Sequence, residues 1–251
     1  VIPARGGTAT NKMIAYEVAS GEKVIVKGSE VWKPQFRPSI GFGTVRRPFP
    51  TSRNAPPVQE EYQVWMADLP ASFFVGYNPF TVRNTYRFIS RWGFVASPEW
   101  MSRLLLYRGA VFVDGKPLKQ VLQPGELAQN ENAFWVEDPG LRLHIRLAKG
   151  VDPATLSYEV TAREQIFAPK EFGLSYIRVS GFEFEHSADP PPVPQRAAVS
   201  AMRGHHWIIE NNRIEWCNAT GIDLGTQDFG ADRSFQVGDD IVRNNIIRNI
   251  G

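Results

Sequence analysis

One cysteine in 251 residues, Cys217, excludes an internal disulfide and any cysteine-rich metal site. No apolar run reaches the roughly 18 residues that a membrane helix needs. Charge of one sign is also lacking. Lys and Arg number 28 against 26 Asp and Glu, a net charge of +2. That balance gives no reason to expect nucleic acid or an anionic membrane as partner. Helical periodicity is scarce too. The best candidate is "SPEWMSRLLLYRG" (97–109), with Ser97 as N-cap and Pro98 in the first turn, which predicts one short helix.

What is present is β patterning. Hydrophobic residues make up 43% of the chain, enough for a core in one large or two small domains. Val, Ile, Phe, Tyr and Trp alternate with polar residues in short runs punctuated by Gly, Pro and Asn. Three of these runs superpose. "IRVSGFEFEH" (177–186), "WIIENNRIEW" (207–216) and "DIVRNNIIRN" (240–249) align Val179 with Ile209 and Val242, and Phe184 with Ile214 and Ile247. Between them Gly181, Asn211 and Asn244 coincide, as do Phe182, Asn212 and Asn245. The offsets are 30 and 33 residues, a period expected of solenoids. Stacked asparagines can satisfy backbone groups at a tight corner and bond each other along the stack. "NKMIAYEVASGEKVIVKGSEVWKP" (11–34) fits the same architecture.

The block between carries hairpin signals. Asp114-Gly115 in "AVFVDGKPLKQV" is a type I′ signature. "AFWVEDPGLRLHIRLAKG" reads as a strand pair, and "LSYEVTAR" adds a strand. The expected fold is all-β: a right-handed parallel β-helix with an inserted antiparallel, sandwich-like β-domain. The expected divisions are 1–56 for the first coils, 57–170 for the insert and 171–251 for the later coils. A stack with open ends exposes unpaired strand edges. Further coils, beyond residue 251 or from a second chain, are therefore an expected partner, and the isolated chain is expected to lack a complete site.

"IPARGGTATNKMIAYEVASGEKVIVKGSEVWKP", together with "FVDGKPL", "FWVED", "RLHIRLAKGVDP" and "YIRVSGFEFEHSA", resembles right-handed parallel β-helix glycoside hydrolases. Family 141 is the best match, with family 120 as a relative. The resemblance implies a glycosidase acting on plant-type glycans such as xylan, xylo-oligosaccharides or fucosylated pectin side chains. It implies a secreted or periplasmic location in a bacterium. The family 120 pattern "GIWLDW" departs from "GIDLG" (221–225) here. Asp223 stands where that family has an aromatic residue and Gly225 where it has the nucleophile, so that nucleophile does not carry over.

Glycoside hydrolysis needs two carboxyl groups about 5–5.5 Å or roughly 6.5–9.5 Å apart. Neighbouring coils offer about 4.8 Å, and positions i and i+2 about 6.7 Å. Asp223 alternates with Ile222 and Leu224, so it faces outward if they fill the interior. It is the catalytic candidate, against the reading of a solvated strand residue. Candidate substrate contacts are His205 and His206 before their strand, Trp216 at a strand end, Glu185 and His186 as residues to line the face of Asp223, and Asp228 in the following loop. For Asp228 an Asx-type loop cap is the favoured role over substrate contact. Trp207 shares phase with Ile177 and reads as core. No cofactor is expected, and no metal-ligand spacing is present. Calcium enters only with an alternative, a polysaccharide lyase on the same fold, which would use it with a basic catalyst. A non-catalytic glycan-binding solenoid is the other alternative.

Overall fold

A computed structural model of the chain describes residues 1–40, 44–46, 59–84, 104–190, 196–225 and 237–251. Among these residues the protein is all-β. Helix is confined to short 310 turns, such as Pro79–Thr81 and Pro124–Ala128, and to helical backbone at Leu104 and Leu105. Of the helix expected over 97–109, residues 97–103 lie outside the described residues, and 106–109 is not helical, since Tyr107 is bridged to Arg83 instead. No described helix is long and apolar enough to cross a membrane.

The chain forms two compact units. One comprises Val1–Glu30, Asn84–Phe94 and Thr161–Gly251. The other comprises Val31–Arg83 and Val95–Val160.

The first unit opens with β1 (Ile14–Glu17) and β2 (Ile25–Lys27). The second unit follows, with β3 (Ser29–Trp32) leading into it, then β4 (Arg37–Pro38), β5 (Thr44–Arg46), β6 (Gln59–Glu61) and β7 (Trp65–Asp68). It continues with β8 (Val111–Val113), β9 (Lys116–Pro117), β10 (Lys119–Gln120), β11 (Ala133–Glu137), β12 (Arg142–Arg146) and β13 (Tyr158–Thr161). Its larger sheets run β10-β11-β12-β7-β4 and β3-β13-β8-β9. β8 and β9 form the hairpin that Asp114-Gly115 predicts. Both turn residues have positive φ, 47° and 74°, as a type I′ turn requires. β11 and β12 pair antiparallel across the "EDPG" turn. Their inward residues Phe134, Val136, Leu143 and Ile145 pack with Trp32, Phe80 and Tyr158 in one core. Asn78 ties the Pro79–Thr81 turn down by accepting from Phe80 N and donating to Gly140 O.

The first unit resumes with β14 (Ile177–Ser180), β15 (Glu183–Glu185), β16 (Val199–Ser200), β17 (Ile208–Glu210) and β18 (Arg213–Glu215). β19 (Ile222–Asp223), β20 (Ile241–Arg243) and β21 (Ile246–Arg248) complete it. Two four-stranded sheets result, β1-β14-β17-β20 and β2-β15-β18-β21, and every pairing in them is parallel. The register is the one read from the repeat. Val179 pairs with Ile209 and Ile209 with Val242; Phe184 pairs with Ile214 and Ile214 with Ile247. The early strands join the same ladders, Ile14 opposite Ile177 and Val26 opposite Phe184.

Each repeat turns on residues of positive φ spaced five apart. They are Tyr176, Gly181 and His186 in one repeat, His206, Asn211 and Trp216 in the next, and Asp239, Asn244 and Asn249 in the third. A single left-handed residue reverses the twist of an extended strand and bends it sharply, at a steric cost of about 1–2 kcal/mol for a residue with a Cβ. Asparagine and glycine meet that cost most cheaply at the corner between the two sheets. There the amide of Asn212 accepts from Phe182 N and donates to Val179 O. Asn245 repeats this one level on, accepting from Asn212 N and donating to Ile209 O.

Ile177, Val179, Phe184, Trp207, Ile209 and Ile214 fill the interior and are fully buried. Trp207 is core, as its phase predicts, with Nε1 donating to Leu174 O. The outward positions carry charge ladders. Glu210 is 2% exposed and accepts from Arg178 and Arg243 on either side. Glu215 is held by Arg213 and Arg248. In the last repeat the core-facing Val242 and Ile247 are exposed.

Candidate functional site

β16 and β19 form a third parallel ladder, with Phe167 bridged to Val199, Val199 paired with Ile222, and Ser200 paired with Asp223. Val199 and Ile222 join the core, so strand alternation turns Ser200 and Asp223 to the opposite face. Asp223 thus lies on the face away from Val199 and Ile222, a face that is itself covered at Ser200. The strand ends at Asp223, where Gly225 N donates to Asp223 Oδ1 at 2.9 Å. That bond fixes one carboxylate oxygen while Ala201 N holds the backbone carbonyl. Asp223 is half-buried. Its in-register neighbour on the preceding repeat is a hydroxyl, not a carboxylate. Ser200 is fully buried, and its Oγ has no hydrogen-bond partner among the described residues.

His205 and His206 occupy a corner before β17. Their Nδ1 atoms lie 2.7 Å apart, so one donates and the other accepts, and a single proton is shared between those two nitrogens. The Tyr176 ring packs against both, with centroids 5.1 and 4.7 Å away. His206 Nε2 stands 3.9 Å from Asp239. Asp240 accepts from Trp207 N at 2.7 Å. Burial raises the Asp240 carboxyl, opposed by that amide and by the two imidazoles.

Glu185, His186 and Trp216 sit where β15 and β18 end. Glu185 lies 3.7 Å from Lys27 and pairs in register with Glu215. His186 is 2% exposed, its Nδ1 2.9 Å from Ser29 Oγ. Trp216 is a half-buried left-handed corner residue. The structure therefore brings His205 together with His206, and Glu185 together with His186, while none of their hydrogen bonds or ion pairs given above reaches Asp223. Asp228 lies outside the described residues. No group of three His, Cys, Asp or Glu among the described residues is arranged to hold a metal ion.

Asp189 escaped sequence reasoning. It is fully buried, accepting from Ser187 Oγ at 2.7 Å, Ala219 N at 3.1 Å and Thr220 N at 2.5 Å. Burial pushes its carboxyl up to about 7, against those three donors. Its backbone carbonyl accepts from Asn218, whose amide also reaches Asn84. The sequence signal is slight: an Asp before Pro190, two residues after a serine.

No family model and no curated protein matches the chain. A solved structure, a complex of XylC with xylose, is similar over 100% of this chain, with a TM-score of 0.71 and 23% sequence identity. The chain spans 43% of the length of that XylC chain. At that identity the likeness carries the fold.

Proposed function

We propose that the chain belongs to a glycoside hydrolase that acts on xylose-containing glycans, with Asp223 as one of its two carboxylates. The observation that carries the reading is the overlap of the whole chain with XylC, which binds xylose. Two parallel four-stranded ladders, and a third short one bearing Asp223, are read as the faces of a right-handed parallel β-helix. The second unit is read as an inserted sandwich-like domain. The family 141 resemblance and a secreted or periplasmic location belong to the same reading. Xylan, xylo-oligosaccharides and fucosylated pectin-type side chains are the substrate classes to test. On this reading the rigid strand positions Asp223, and Gly225 N orients its Oδ1 toward one rotamer. The second carboxylate stands within about 5–9.5 Å of it when the site is complete.

One observation favours a second reading, a non-catalytic glycan-binding solenoid: the residue registered beside Asp223 is Ser200. Hydrolysis of an aryl xyloside and of xylobiose by the natural protein and by its Asp223→Asn variant separates the two. The hydrolase reading expects turnover that falls by about 10²–10⁴-fold in the variant. Xylobiose binding without turnover supports the second reading, and absence of both removes the first.

A further inference from the structure

The first unit holds a cavity of about 390 Å³ whose lining does not include Asp223. Its volume is within the range of small-ligand sites. Val26, Ile166 and Pro169 supply apolar wall, and Lys27, Arg163 and Lys170 supply charge; no carboxylate is in its lining. The frame is well fixed. Ala162 N and Arg163 N both donate to Gly28 O, so Arg163 is held beside the strand end that bears Lys27. Val1 closes one wall, its N donating to Ile166 O and its O accepting from Ala168 N.

We propose that this cavity is an anion-selective site for a carboxylate-bearing sugar. An apolar wall suits the C–H face of a pyranose ring, and the lining supplies three cations of the kind that pair with a carboxylate. Lys27 and Arg163 already face Glu185 at 3.7 Å and Glu30 at 2.6 Å, both outside the lining. Those pairs are partly exposed, and exposed pairs exchange partners at little cost. Lys170 is exposed and has no ion-pair partner among the described residues, so it is the cation that a ligand would engage first. The choice of a sugar rests on the glycan-acting reading above. The preference for an anion rests on the charge of the cavity alone.

The test is calorimetric titration of the protein with sodium glucuronate, xylose and inorganic phosphate. Glucuronate is expected to bind, xylose to bind at this site at least tenfold more weakly, and Lys170→Glu to weaken glucuronate by about tenfold or more, as loss of a charge-assisted contact would. Arg163→Gln is expected to act in the same direction, with folding checked by circular dichroism. Binding of phosphate but not glucuronate would overturn the sugar assignment. Glucuronate affinity unchanged in both variants, or absent, would overturn the site. Aryl xyloside turnover in the same preparations tests the proposed function separately: turnover without glucuronate binding defeats only this inference.

Discussion

Asn212 Nδ2 lies 3.1 Å from Asn245 Oδ1, and the same two side chains each accept from a backbone N–H of the neighbouring repeat. This asparagine ladder is the internal seam of the stacked repeats. It satisfies the amides that a left-handed corner strips of strand partners.

Replacing Asn212, which is 2% exposed, strands Phe182 N and Val179 O together. Asn212→Ala should lower stability by about 1–3 kcal/mol, the cost of leaving a buried polar group unpaired. Urea denaturation of the variant checks it. Asn211→Gly, at φ 57°, is expected to be nearly neutral, because Gly181 already fills the equivalent corner. Equal losses at both positions would mean that the amide bonds contribute nothing specific.

Asp189 gives stability a pH dependence of defined sign. Its carboxyl is raised to about 7, chiefly by burial, from an ordinary value of 3.8. The folded protein therefore holds this proton more tightly than the unfolded chain does. The contribution is fully present below about 4 and is lost as pH rises to about 7. Asp189→Asn keeps an acceptor for Ala219 N and Thr220 N and offers Ser187 Oγ a donor. The variant should lose the decline between about pH 4 and 7, read as melting temperature against pH. An unchanged slope would assign that decline to other groups.

Glu210 acts in the opposite direction. Arg243 first, and Arg178 with it, hold its carboxyl below the usual range. Its stabilisation is present above the ordinary value of 4.5 and is lost as pH falls through the lowered one. Glu210→Gln should lower the melting temperature at neutral pH and diminish the difference from the natural protein in acid. A variant as stable as the natural protein at pH 7 would show that the two arginines gain no net advantage from the buried carboxylate.

The repeat was legible because burial imposes a period. Val179, Ile209 and Val242 must be apolar to fill the interior, and Asn212 and Asn245 must carry an amide to satisfy the corner. The other corners were not legible. Their left-handed positions hold Tyr176, His206 and Asp239 on one side, and His186, Trp216 and Asn249 on the other, residues with no common chemistry. His186 and Trp216 are among these corner residues, and nothing in their side-chain chemistry announces a bend. Asp223 could be given an outward orientation from Ile222 and Leu224. Its neighbour could not be found, because the pairing with Ser200 spans an irregular return between sheets that follows no period in the sequence.

The most direct test of the central claim is xylobiose hydrolysis by the natural protein against Asp223→Asn, at matched folding. The account predicts a fall of about 10²–10⁴-fold in kcat, with xylobiose affinity retained, since asparagine preserves the shape of the side chain and its bond to Gly225 N. Unchanged turnover in the variant would contradict it, and would move the catalytic carboxylates away from this ladder.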